Sequence, residues 1–300
     1  MPSSDTRPLQ GVLLVIAAVA LFACFDTGVK IASALAPVGV VVWARYLFQV
    51  GVTAVTVLPR RGRALLRTER PGLQLLRGLC LLSLSVLAFF SLQVMPVGEF
   101  TAIVMLTPLL ITLLAALTLG ERISAWRWLL LAGGMAGALI VIRPKGEAQD
   151  LGWAALLPLG LVVSNALFQI ITSRLARTED PMTMHFYTGW VGALIATAVL
   201  PLVWQAMPDA RTFAILCLVG LMGTVGHFLL ILAFARAPAS TLTPYLYAQI
   251  GFAMLCGWLV FDHIPGALEL AGIALIVVCG ATASWLTARE KQTLLQPPEA

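Results

Sequence analysis

The chain contains few charged residues: only 11% of its 300 positions are Asp, Glu, Lys or Arg, whereas 60% are hydrophobic. Its mean hydropathy is +0.94. A soluble domain of this length cannot bury so much apolar surface, because its interior is too small and its polar residues are too few to cover the outside. The composition therefore excludes an ordinary soluble domain and indicates that a lipid bilayer covers much of the surface.

The sequence also lacks the motifs of several enzyme classes. It has no GxxxxGK[ST] phosphate-binding loop, no HExxH and no GxSxG, so we expect neither ATP hydrolysis nor these forms of hydrolytic catalysis. The three histidines are scattered and the five cysteines form no CxxC pair, which predicts no disulfide, metal centre or cofactor. The cysteines are Cys24, Cys80, Cys217, Cys256 and Cys279.

Ten apolar stretches have about the length of 20 residues that crosses a bilayer as a helix. Backbone polar groups in hydrocarbon must be satisfied within the segment, and period-two alternation is absent, so helices are predicted and not a barrel. The fold class predicted is an all-α integral membrane protein with ten transmembrane helices. The predicted spans are 11–32, 38–58, 72–95, 98–118, 125–142, 151–175, 182–204, 212–235, 239–261 and 266–287.

The arginines and lysines are distributed unequally between the two sides of the membrane. With ten spans both termini lie on one side, and that side receives 14 of the 19 basic residues, including a dense group at 60–77. Loops rich in Lys and Arg stay in the cytoplasm. The sequence therefore predicts a multi-pass membrane protein with cytoplasmic N- and C-termini.

One segment occurs twice. Met95–Arg122 and Ala237–His263 each begin beside a proline, run through about one bilayer thickness and reach an acidic residue, Glu121 or Asp262. Each is followed by another apolar run. The hydrophilic segment 143–150 separates two sets of five spans, so a duplicated second half would enter the membrane upside down. We predict two inverted five-helix repeats, 1–146 and 147–300.

The repeat resembles a known family. Pro96 and Pro108, the Leu-Gly-Glu-Arg segment at 119–122 and the glycine-rich span at 133–142 look like the repeat unit of the drug/metabolite transporter superfamily, in its ten-span EamA-type branch. Ala36-Pro37 and Arg45 are similar to the unit's first part. The resemblance implies a secondary transporter, and among its branches the chain looks most like bacterial exporters of amino acids, including aromatic ones.

Charged residues inside the spans are costly and mark either pairs or a transport pathway. Asp26 and Lys30 lie four residues apart on one helix face, which suits an ion pair within the first span or a charge that lines a cavity. Arg45 is expected to be structural, as are Glu121 and Asp262. Proline removes a backbone hydrogen bond, so Pro108 and Pro244 are predicted to kink their helices as hinges, although a static bend is equally compatible with the sequence.

Polar and aromatic side chains recur at helical spacing on several spans and predict a shared central cavity lined by both repeats. For any single one of these residues, a hydrogen bond between helices is a simpler explanation than contact with a substrate. The predicted cavity residues are Phe22, Asp26, Phe90, Gln93, Thr107, Trp153, Asn165, Gln169, His227, Tyr245, Tyr247 and Gln249. The glycines at 133, 137, 272 and 280 are instead expected to allow close helix packing.

These patterns predict a non-enzymatic exporter that moves a small metabolite, most readily an amino acid, by alternating access. Its partners would be that substrate and membrane lipid, with no nucleic acid. Efflux of lipophilic cations is the first alternative, and it requires Asp26 to be free to meet them. A membrane-embedded lipid-modifying enzyme or assembly factor is the alternative of another class, against which the loops offer no reactive groups.

Overall fold

The computed structural model describes residues 6–107, 109–111, 114, 125–142, 156–176, 178–204, 209–237, 242 and 245–295. The regular structure of these ranges is helical, with no strand among them. A short helix, Leu58–Arg61, and a 3-10 helix, Gly62–Leu66, join α2 to α3. The main helices are α1 Thr6–Ser33, α2 Val38–Thr56, α3 Pro71–Val94, α4 Val97–Val104, α5 Ala125–Ile142, α6 Leu157–Leu175, α7 Pro181–Val203, α8 Ala210–Arg236, α9 Ala248–Phe261 and α10 Ala267–Leu295.

The helices match the predicted spans one for one. In the described ranges, α1, α2, α3, α7 and α8 are each long and apolar enough to cross a membrane, and the other five contain shorter apolar stretches. Helix starts follow local chemistry: α7 begins with Pro181, and the carboxylate of Asp180 accepts hydrogen bonds from the backbone N–H groups of Met182 and Thr183. The all-α membrane fold is therefore confirmed.

The two halves are interleaved. The most extensive contacts join α1 to α8, α3 to α6, α2 to α7 and α5 to α10, so each pair takes one helix from each half. The helices α1–α5 correspond in order to α6–α10. When each helix is exchanged for its counterpart, the α1–α8 contact becomes the α6–α3 contact, and the α2–α7 and α5–α10 contacts stay the same. The helices are therefore arranged around a pseudo-two-fold axis.

Equivalent helices of the two halves run in opposite directions. Gly39 of α2 packs against Val203 of α7, whereas Tyr46, further along α2, packs against Gly192, which is earlier in α7. The α5–α10 pair shows the same reversal. Gly133 faces Cys279, and a Cβ built on Gly137 would lie 2.8 Å from the carbonyl oxygen of Gly272 and 2.9 Å from Ile276. The repeats are thus inverted, and the small residues do allow the close packing expected of them.

Both α4 and α9 are interrupted at the middle of the bundle. α4 ends at Val104, and the Met105 N–H bonds to the carbonyl oxygens of Thr101 and Ala102 at 3.0 and 3.2 Å as the chain turns. α9 begins only at Ala248, after a turn at Tyr247. These interruptions lie next to the predicted hinges Pro108 and Pro244, which themselves fall outside the described residues. Residues 107, 109–111 and 114 are helical again after the first turn, as are 242, 245 and 246 before the second, so a turn divides each of the spans predicted at 98–118 and 239–261.

Candidate functional site

A central cavity of about 110 Å³ lies where the two halves meet, lined by α1, α2, α3, α4, α6, α8 and α9 with the turns beside α4 and α9. Its wall combines aromatic rings with polar groups from both repeats. The rings are those of Phe22, Phe25, Phe89, Phe100 and Phe168. The polar side chains are Asp26, Arg45, Ser85, Asn165, Gln169, His227 and Gln249.

Asp26 and Lys30 do not form the ion pair suggested by their spacing. Asp26 is 7% exposed on the cavity wall, and Gln249 Nε2 donates to its Oδ2 at 3.3 Å. Lys30 Nζ instead donates to the carbonyl oxygens of Leu92 and Met95, both at 2.7 Å. The last carbonyl groups of a helix have no partner within it and carry negative partial charge, so the end of α3 attracts the ammonium away from Asp26.

Arg45 faces the cavity as well as holding helices together. Its Nη1 donates to Ser85 Oγ at 2.5 Å, and its guanidinium lies over the rings of Phe25 and Tyr46 at 5.2 and 4.7 Å from their centroids. These contacts fix α2 against α3 and α1. Arg45 was expected to be structural, but the fold also brings its buried charge to the wall of the cavity that Asp26 and Gln249 line.

Asn165 connects the cavity to the interrupted part of α4. Its Nδ2 donates to Thr107 Oγ1 at 3.2 Å, and its Oδ1 accepts from Gln169 Nε2 at 3.2 Å. Thr107 is fully buried behind the wall and does not line the cavity itself. This hydrogen bond therefore connects α6 of the second repeat to Thr107, the residue before Pro108, which is the predicted hinge of the first repeat.

His227 is held in one orientation. Because a carbonyl oxygen only accepts, its Nδ1 must donate the 2.8 Å hydrogen bond to Gly223. The ring packs edge-on against Phe22 and Phe168, with centroids 4.8 and 6.2 Å away. His227 thus presents an imidazole edge within an aromatic wall, as a cavity residue would.

Besides Thr107, four predicted cavity residues lie elsewhere. Phe90 and Tyr245 are 41% and 42% exposed and line no part of the cavity. Their neighbours Phe89 and Leu246 line it instead. Tyr247 is buried between α9 and α10, where its hydroxyl packs against Gly280. Gln93 lines a separate, more open pocket of about 270 Å³ with Lys30. Trp153 and Glu121 lie outside the described residues, as do Pro108 and Pro244.

Three scattered residues meet at the end of the bundle beyond Asp26. His263 Nε2 lies 3.4 Å from Glu99 Oε1, and one ligand atom each from Glu99, His263 and Glu269 lie within 4.8 Å of one another. Sequence spacing had indicated no such group. Lys30 also interacts electrostatically with Glu99. This group joins α1, α4 and α10 with His263, which follows Asp262, the left-handed residue (φ 51°) that ends α9.

The sequence missed several residues of this interior. Arg77 was counted with the basic residues of the cytoplasmic side, near the start of the span predicted at 72–95, but it is 1% exposed, two turns into α3. Without Arg77, the predicted cytoplasmic side still carries most of the basic residues. Ser85 lines the cavity on the same face, two turns later. The spacing of Arg77, Leu81 and Ser85 on one helical stripe was the available signal.

Comparison with known proteins agrees with this architecture. The profile of the EamA-like transporter family matches residues 9–143 and 152–284, one match for each five-helix half. The chain belongs to the EamA-like transporter family. The matched ranges lie within the predicted halves 1–146 and 147–300, whose boundary stays a prediction.

Family members similar to this chain carry different molecules. A riboflavin transporter of Vibrio cholerae is 30% identical over 95% of this chain and 97% of its own length. A pseudopaline exporter of Pseudomonas aeruginosa is 29% identical over 90% and 94%. An S-adenosylmethionine uptake transporter of Rickettsia conorii is 27% identical over 72% of each chain. A solved structure of 20% identity superimposes with a TM-score of 0.66 over 94% of this chain and 98% of its own, which supports the fold alone.

Proposed function

We propose that this protein is a secondary transporter that carries a small metabolite, with both an aromatic part and several hydrogen-bonding groups, across the bacterial inner membrane. The cavity supports this proposal, because five phenylalanine rings surround a space into which amide, carboxyl, guanidinium and imidazole groups also point. Ligand sites of this kind use apolar walls for affinity and a few placed polar groups for orientation. We place both termini in the cytoplasm, following the distribution of basic residues.

Alternating access follows from the inverted halves. The cavity's 110 Å³ lies below the range of about 300–1,000 Å³ typical of ligand pockets, so substrate entry requires the halves to separate. We expect bending at the turns beside α4 and α9, because these turns interrupt the helical hydrogen bonding and their residues Met105 and Leu246 line the cavity. Substrate then shifts the population between states that open to either side, and its gradient or a coupled ion sets the direction.

Aromatic amino acids and riboflavin are the substrates to test first. The amino acids match the mixed charge of the wall, where Asp26 and Arg45 suit an ammonium and a carboxylate; riboflavin is carried by a relative that matches nearly the whole chain. Lipophilic cations fit less well, since Arg45 adds a positive charge to the same cavity and such a cation brings no carboxylate to meet it.

Counterflow in proteoliposomes tests the proposal. Vesicles preloaded with phenylalanine, tryptophan, riboflavin, S-adenosylmethionine or a cationic dye would be given the labelled compound outside, with and without a pH gradient. We expect accumulation of at least one aromatic metabolite above that in empty vesicles. Accumulation of the dye alone, or of no compound in the panel, would overturn the proposal.

A further inference from the structure

A second polar site lies outside the cavity, towards the end of the bundle where α3 and α7 begin. We name it the Arg77 site. Its members come from α2, α3, α6 and α7, and each is at most 4% exposed. They are Gln49, Gln74, Arg77, Thr172, His185 and Thr188.

Arg77 is a buried cation held by neutral groups. Its Nε donates to Thr172 Oγ1 at 2.7 Å, and its Nη1 donates to the Met184 carbonyl oxygen at 2.8 Å and to Thr188 Oγ1. Among the residues that the structure describes, no carboxylate lies within ion-pair distance of it. A buried guanidinium without a counter-charge is costly, and it is stabilised most by an anion that accepts two parallel N–H bonds.

Two neighbouring side chains have unused hydrogen-bonding atoms. Gln74 is fully buried, and neither its amide nitrogen nor its amide oxygen has a partner in the described part of the chain. His185 Nε2 is also buried without a partner, while Gln49 Nε2 donates to the His185 carbonyl oxygen at 3.0 Å. Buried polar groups are nearly always satisfied, so these atoms indicate a place that a ligand or water occupies in another state.

Phe168 separates this site from the cavity. Its ring lines the cavity beside His227, and the Arg77 guanidinium lies 4.7 Å from the centroid of the same ring. On α3, Gln74, Arg77, Leu81 and Ser85 follow one another at helical spacing on a single face, and the last two line the cavity. One face of α3 therefore leads from the cavity to the Arg77 site.

We propose that the Arg77 site binds the carboxylate group of the substrate on its way between the cavity and the side of the membrane where α3 begins. This inference rests on the proposed transport function and narrows the substrate to a metabolite that carries a carboxylate. In the structure described here, Phe168 closes the passage. Its displacement as the halves separate would join the two polar sites.

Charge-selective thiol labelling tests the site without knowledge of the substrate. Gln74→Cys protein in membrane vesicles of both orientations would be treated with the sulfonatoethyl or the trimethylammonioethyl methanethiosulfonate, and the labelling of the parent protein, with its own cysteines, would be subtracted. A positive field attracts anions and repels cations, so we expect the anionic reagent to react about tenfold faster. Arg77→Lys should keep this preference, whereas Arg77→Gln should remove it.

Two further measurements complete the test. Benzoate should slow the labelling of Gln74→Cys, and benzamide, its neutral analogue, should not. Gln74→Leu should raise the thermal midpoint, because it removes an unsatisfied polar group, yet lower the transport rate. Labelling that is absent, faster with the cationic reagent or insensitive to benzoate would overturn the inference, as would normal transport by Gln74→Leu. Labelling needs no flux, so the labelling results are separable from a failure of the proposed transport function.

Discussion

Asn165→Leu separates a cavity role from a structural one. The change removes two side-chain hydrogen bonds, to Thr107 and from Gln169, each 3.2 Å long. Hydrogen bonds between membrane helices contribute about 0.6 kcal/mol each, so the free energy of unfolding should fall by about 1 kcal/mol. For a chain of this size that corresponds to about 1–2 °C in the thermal midpoint.

The effect on transport should be larger than this loss of stability. If the Asn165 amide also bonds the substrate, removing it costs binding about 0.5–1.5 kcal/mol, and 1.4 kcal/mol is tenfold in affinity. We therefore expect the KM for counterflow in proteoliposomes to rise about threefold to tenfold, at an unchanged yield of protein.

Two control variants make the result decisive. Thr107→Val removes the partner of Asn165 but leaves the cavity wall intact, and Tyr245→Ala changes an exposed residue that the sequence had assigned to the cavity. Both should keep a KM close to that of the wild type. An unchanged KM in Asn165→Leu would refute the cavity role, and an equal rise in Thr107→Val would show that Asn165 acts only through its link to α4.

The remaining predictions concern stability. Gly137→Ala should lower the free energy of unfolding by about 1–3 kcal/mol, since the new methyl group meets the backbone of α10, whereas Gly251→Ala, with open space around it, should not destabilise the protein. Burial opposes ionisation of Asp180, but hydrogen bonds from Arg61 and from the backbone N–H groups at the start of α7 outweigh it and lower the pKa of Asp180. Its stabilising contribution is therefore complete above the unfolded pKa of about 3.9 and is lost as the pH falls through the folded value. Thermal melts between pH 2.5 and pH 6 should show this loss in the wild type and less of it in Asp180→Asn; equal pH dependence in both would contradict the assignment.

Much of the architecture was predictable because a bilayer imposes simple rules. Each span must be a helix of nearly fixed length, so hydropathy alone located all ten. The site was less predictable. Phe22 and Asn165 line the cavity, whereas Phe90 and Tyr245 do not, because a single helix in a membrane can be apolar on every face. Periodicity then does not tell which face meets lipid and which meets protein.

The sequence by itself determined the number of helices, the duplication and the inversion, since these depend on the length of apolar runs and on an odd number of spans in each copy. Only the tertiary structure decided which charges meet. It places Lys30 at the end of α3 and not beside Asp26, and it buries Arg77 behind Phe168 inside the bundle. Such pairings are decided by packing between helices distant in the chain, where a rotation of one helix brings a different set of side chains to the centre.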